Sequence, residues 1–106
     1  MSKPITAVAT PWQELVVVCG KCNRKLDGGF GADGEDKLRT ALKDALREAG
    51  RRRQVRVIEG GCFGLCPKQA VTVVASRAPH QLLVVPAGTD AAEALERISP
   101  AAPPLP

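Results

Sequence analysis

Leu15-Val16-Val17-Val18-Cys19-Gly20-Lys21-Cys22 decides how the rest of the chain is read. An apolar, largely β-branched run this short suits a buried strand. A cysteine pair follows it without a break. Downstream the pattern recurs: Val55 and Val57 alternate with Gln54 and Arg56, Ile58 follows, and Glu59-Gly60-Gly61 leads into Cys62. That reads as a second strand, again delivering a cysteine at its carboxyl end, with Cys66 close behind.

Between the two strands, Leu38, Ala41, Leu42, Ala45, Leu46 and Ala49 recur at the spacing of one helical face. Asp33 is the expected N-cap, with Glu35 and Asp36 in the first turn. Arg47 falls in the last turn and Gly50 is the expected stop. The stretch from Cys22 to this helix reads as a polar loop, with Gly28, Gly29, Gly31 and Gly34 favouring a flexible, non-helical path. It lacks any phosphate-binding pattern.

Strands joined through a helix run parallel, so both cysteine pairs are expected at one edge of the sheet. A third strand spans Ala70 to Ala75, and Arg77 to His80, with Pro79, forms a turn. Leu82 to Val85 is a fourth strand, antiparallel to the third and closed by Pro86. Thr89 is the expected cap of a last helix whose inner face is Ala91, Ala94, Leu95 and Ile98, and Pro100 ends it. The predicted fold is α/β (α+β): a four-stranded mixed sheet with two helices, in the order β-α-β-β-β-α. Residues 1–13 are expected to be an irregular segment, broken by Pro4 and Pro11, with Trp12 capping the core. Residues 14–99 form the domain, and 100–106 a Pro-rich disordered tail.

The chain has 106 residues, 44% hydrophobic and 25% charged, which fits one globular domain. No apolar stretch approaches the ~18 residues of a membrane span, and the N-terminus does not read as a secretory signal. A cytoplasmic location is therefore expected, where cysteines favour metal or redox chemistry over structural disulfides. The net charge is +4, but Trp12, Phe30 and Phe63 are the whole aromatic set, too few for a base-stacking platform. No nucleic-acid partner is expected, and no membrane. Arg51-Arg52-Arg53 reads as a solvated run that complements the end of the helix. His80 lies in a turn, and no Ser/His/Asp or paired-carboxylate arrangement stands out. No catalytic residue and no enzyme activity is expected.

The chemistry therefore rests on Cys19, Cys22, Cys62 and Cys66. Two local pairs of thiolates suit a [2Fe–2S] cluster, which takes two thiolates on each iron. The same four satisfy a tetrahedral zinc ion in a structural adaptor module. Cys19-Gly20-Lys21-Cys22 after a strand also looks like the active site of a thiol–disulfide oxidoreductase. That chemistry wants a helix starting at the motif, where a loop is expected here. Gly20, Gly61 and Gly64 permit tight turns, and Phe63 and Leu65 are placed to screen a cluster from water. An oxidised [2Fe–2S] cluster on four thiolates bears a double negative charge, which Lys21, Arg24, Lys25 and Lys68 lie near enough to compensate. They also form a basic face for an acidic redox partner.

Cys62-Phe63-Gly64-Leu65-Cys66-Pro67-Lys68-Gln69-Ala70-Val71-Thr72-Val73 resembles the second half-site of thioredoxin-like [2Fe–2S] ferredoxins, a C-x-G-x-C loop followed by a strand. The same loop occurs in the small iron–sulfur subunit of the respiratory NADH dehydrogenase. The resemblance spans roughly residues 14–98 and includes the strand–Cys–Gly start at Val16–Gly20. It implies a thioredoxin-like fold, cluster ligation by Cys19, Cys22, Cys62 and Cys66, single-electron transfer to a redox partner, and the homodimer common in such families. The chain differs in its first pair, where only Gly20 and Lys21 separate cysteines that the family usually spaces by four or more residues.

Overall fold

Strand β1 (Glu14–Cys19) contains the apolar run and lies inside a four-stranded sheet of order β2-β1-β3-β4. The computed structural model describes residues 4–26, 28–31, 33–65 and 67–100, without the side chain of Lys25. β2 (Val55–Gly60) runs parallel to β1, with Val16 opposite Val57 and Cys19 opposite Gly60. β3 (Ala70–Ala75) pairs antiparallel on the other side, Val18 opposite Val73. β4 (Leu83–Pro86) is antiparallel to β3 and forms the second edge. The sheet is the mixed one the sequence predicts. A continuous apolar run is what an interior strand requires, because hydrogen-bonded neighbours flank it and side chains on both faces are shielded.

The helices number three among the described residues: α1 (Gly20–Leu26), α2 (Leu38–Glu48) and α3 (Ala91–Ile98). Two were expected. α1 replaces the loop foreseen after Cys22, and the reason is local. Lys21 to Leu26 contains no glycine or proline, and most of its residues are good helix formers. The glycines that argue for a loop begin only at Gly28.

Both expected N-caps are corrected. α2 starts after Lys37 with no side-chain cap and no acid in its first turn, so Asp33, Glu35 and Asp36 lie outside it. Asp36 is held extended instead. Its N–H donates to the Phe30 carbonyl at 2.8 Å and the Phe30 N–H returns a bond to the Asp36 carbonyl at 3.0 Å. α3 is capped by Asp90, whose Oδ2 accepts from the Glu93 N–H at 3.1 Å, while the Thr89 hydroxyl donates to the Pro86 carbonyl. The C-terminal stop of α2 is as predicted. Gly50 takes φ +71°, its N–H reaches the Arg47 carbonyl, and the Arg51 N–H reaches that of Leu46, a Schellman closure.

One core joins the sheet to the helices. Val16, Val18, Val57, Val71 and Val73 are buried with Leu38, Leu42 and Leu46 of α2 and Leu95 and Ile98 of α3. Phe30 joins them at 1% exposure. The glycine-rich loop is thereby tied down rather than open, and its Gly29 carbonyl also accepts from the Gly88 N–H at 2.7 Å. At the start of β1, Glu14 is almost fully buried and accepts from the Arg77 guanidinium at 2.9 Å.

Trp12 does not cap this core. It is 45% exposed, with the Arg56 guanidinium 5.5 Å from its ring centre. Arg51 is not simply solvated, since it donates to the Ser99 hydroxyl and the Pro100 carbonyl. Arg52 and Arg53 are exposed, as expected. Apart from Pro100, the expected tail lies outside the described residues. No described helix is long and apolar enough to cross a membrane.

Candidate functional site

The carboxyl ends of the parallel strands β1 and β2 meet at one corner of the sheet, where Cys19 and Gly60 are register partners. Gly20 makes the meeting possible. A Cβ on Gly20 would lie 2.5 Å from the Gly60 carbonyl oxygen, far inside contact distance. Gly20 thus serves close backbone approach rather than a positive φ. Gly60 is constrained likewise, since a Cβ there would lie 2.8 Å from Val17 Cγ1. The first pair leaves this corner in a fixed way. Cys19 is the last residue of β1, fully buried, and Cys22 sits one turn into α1, 5% exposed. Both are thiols.

The second pair arrives on a loop. Gly64 takes φ +87°, and its N–H points back to Cys62 Sγ at 3.4 Å. Cys62 is exposed, Phe63 is half-buried against the core and Leu65 is exposed, so of the two expected screening residues only Phe63 is packed. Cys66 lies outside the described residues. The loop nevertheless lies across the first pair. The Phe63 backbone N–H bonds Cys19 Sγ. The Leu65 carbonyl is 3.9 Å from Cys22 Sγ and accepts from the Thr72 hydroxyl at 3.3 Å, and that hydroxyl is 3.8 Å from the same sulfur. Each thiol of the first pair therefore touches the residue next to one cysteine of the second. Among the described residues, no three His, Cys, Asp or Glu side chains converge as metal ligands. The contacts bring Cys19 and Cys22 to the Cys62 loop, where Cys62 itself is exposed.

Burial pushes the Cys19 thiol up. Opposing it are the backbone N–H groups of Cys22, Phe63 and Lys21 and the Cys22 thiol, and their sum holds Cys19 below the ordinary thiol value. N–H groups gathered on one sulfur stabilise its thiolate, which is the ligating and the nucleophilic form.

Four further residues matter that sequence reasoning passed over. Thr72 is fully buried and joins β3 to both halves of the site. Asn23, next to Cys22, is 3% exposed and donates to Glu59 Oε1 at 2.7 Å, which fastens α1 to the end of β2. Glu59 in turn lies 3.9 Å from Arg39. Gln69 takes a left-handed φ of 55° just before β3. A buried Thr in a valine strand and an Asn beside a candidate ligand cysteine were the available signals. Beside Cys22, a hollow of about 250 Å³ is lined by Lys21, Leu26, Pro67, Lys68, Gln69 and Ala70. The exposed Lys21, Arg24 and Lys68 are on this side of the molecule. The described cysteines are thus a buried pair, with a thiolate-stabilising N–H set, and the exposed Cys62 on the glycine loop that contacts them. No protein family, curated protein or solved structure matches this chain.

Proposed function

We propose that the chain is a thioredoxin-like [2Fe–2S] ferredoxin, an electron carrier without substrate chemistry of its own. The observation that carries this reading is the lie of the Cys62 loop across Cys19 and Cys22. A dithiol site needs no such loop, whereas a cluster needs two pairs in one place. The donor set fits. All four candidate ligands are cysteines, the three described ones are free thiols, the Cys19 thiolate is favoured, and N–H groups of Lys21, Cys22 and Phe63 reach its sulfur. Such bonds to ligand sulfur stabilise the more negative state and raise a reduction potential. Cys19, Cys22, Cys62 and Cys66 hold the cluster, which when bound supplies one-electron exchange.

The protein's own part is positioning and electrostatics. The β1–α1 turn fixes the first pair, and Thr72 and Asn23 brace α1 against β3 and β2. Burial of Cys19 and Cys22 keeps water from one side, while the exposure of Cys62 leaves the other side open to a partner. Lys21, Arg24 and Lys68 favour an acidic docking surface there.

One observation favours a second reading. α1 begins at Gly20, directly after Cys19, and the Cys19 thiolate is stabilised. This is the arrangement of a thiol–disulfide oxidoreductase, and it removes the objection that a loop follows the motif. Zinc remains the third occupant of the same thiols. An absorption spectrum of anaerobically purified protein, with iron, sulfide and zinc counted, separates the three. Visible charge-transfer bands with equal iron and sulfide support the cluster. Colourless protein with zinc, or metal-free protein with a reversible Cys19–Cys22 disulfide, overturns it.

A further inference from the structure

At the far end of the sheet from the cysteines, a hollow of about 230 Å³ wraps the outer edge of β2. The six residues of β1 separate the two ends by roughly 17 Å. The hollow's lining includes Leu46 of α2 with Val55 and Val57 of β2, all three buried in the core. Its rim is cationic, with Lys43 and Arg47 of α2, Arg52 of the connecting turn and Arg56 of β2, and Trp12 closes one side. No acidic residue lines it. Arg47 pairs with Asp44 at 3.2 Å. Lys43, Arg52 and Arg56 have no ion pair among the described residues.

β2 is an edge strand, and no described segment pairs with its outer side. Open strand edges are templates for a further strand, and proteins guard them unless they are used. Positive charges along the rim repel another basic strand and attract an acidic one. Val55 and Val57 point to one face and Arg56 to the other, so the hollow is lined from both sides of the edge. An added strand is the occupant that meets both faces, because its side chains alternate. A flat anion site would use one face alone.

We propose that this edge binds an extended, acidic peptide segment of a partner protein by strand addition to β2. Backbone hydrogen bonds to β2 hold the segment. Its carboxylates meet Lys43, Arg52 and Arg56, and its apolar side chains pack beside the exposed Trp12. The inference is independent of what the cysteines hold.

Trp12 is the only tryptophan in the chain, so its emission reports on this hollow alone. The test titrates the full chain with an acetylated, amidated Glu-Val-Glu-Ile-Glu-Val-Glu peptide. The expected result is a saturable change in Trp12 emission. The paired substitution Lys43→Glu with Arg56→Glu should raise the midpoint at least about tenfold, with far-UV circular dichroism unchanged; Arg52→Glu alone should raise it less. Of the two versions of the peptide N-methylated at odd or at even residues, the one whose methyl groups face β2 cannot complete a ladder and should not bind, whereas the other should. Equal binding by both N-methylated peptides, by the Lys-for-Glu version or by an oligothymidylate overturns strand addition, as does no response to the acidic peptide.

Discussion

The two halves of the cysteine site are built from different material. Cys19 and Cys22 sit on the last residue of an interior strand and the first turn of a helix, both buried, both reached by backbone groups of other elements. Cys62 sits on an irregular loop, exposed, steadied by the Gly64 N–H two residues on. Regular elements hold a ligand in place through many hydrogen bonds, whereas a loop holds it through few. On the proposed reading, Cys19 and Cys22 are a preformed half-site that the Cys62 loop would complete.

The largest effect expected from this contrast is on assembly. Cys22→Ala should abolish cluster binding, read as loss of the visible spectrum after reconstitution. Cys62→Ser should leave little cluster, but apoprotein of unchanged thermal stability, because an exposed loop residue contributes little packing. Retention of a full native spectrum in Cys62→Ser would count against the site. Equal loss of stability in both variants would erase the contrast.

Next comes the corner itself. Gly20→Ala drives a Cβ against the Gly60 carbonyl, where backbone must move. A cost of about 1–3 kcal/mol is expected, as for overpacking elsewhere, measured by urea denaturation of the apoprotein. Gly61→Ala, where a Cβ meets nothing within 4 Å, should cost much less.

Thr72→Val keeps the shape of the strand and removes the hydroxyl that touches Cys22 and the Leu65 carbonyl. About 1 kcal/mol is expected from the lost hydrogen bond, together with faster alkylation of Cys22 as the loop loosens. Mass mapping of iodoacetamide adducts on the wild-type apoprotein should find Cys62 ahead of Cys22, and the reverse order would invert the comparison.

The smallest effect is on pH. The Cys19 thiol titrates lower when folded than when unfolded. In the window between the two values the folded state binds fewer protons, so apoprotein stability rises with pH through it and levels above the unfolded value. That stability is lost as pH falls through the folded value. Melting temperatures across this window should climb for the wild type, and more shallowly for Cys19→Ser.

Much of the fold was legible in the run Leu15–Val18, the helical spacing of Leu38 to Ala49 and the short turn before Leu82. These are periodic signals that burial alone explains. α1 was not, because seven residues are too few for a periodic signal, and the glycines downstream masked its end. Asp36 was misread for another reason, its pairing with Phe30. Their pairing is a contact across a loop that no local propensity specifies, and it withdrew Asp36 from the helix it was expected to begin.

By itself the sequence determined the parallel pairing of β1 with β2, the antiparallel pairing of β3 with β4, and hence that Cys19 and Cys62 follow strands ending at one edge of the sheet. Periodicity and connection length are written along the chain. Only the tertiary structure decided that Gly20 must pass the Gly60 carbonyl, that the Phe63 N–H and Leu65 carbonyl land on Cys19 and Cys22, and that Trp12 with Lys43, Arg52 and Arg56 borders an open strand edge. These are juxtapositions of distant residues, and packing in three dimensions sets them.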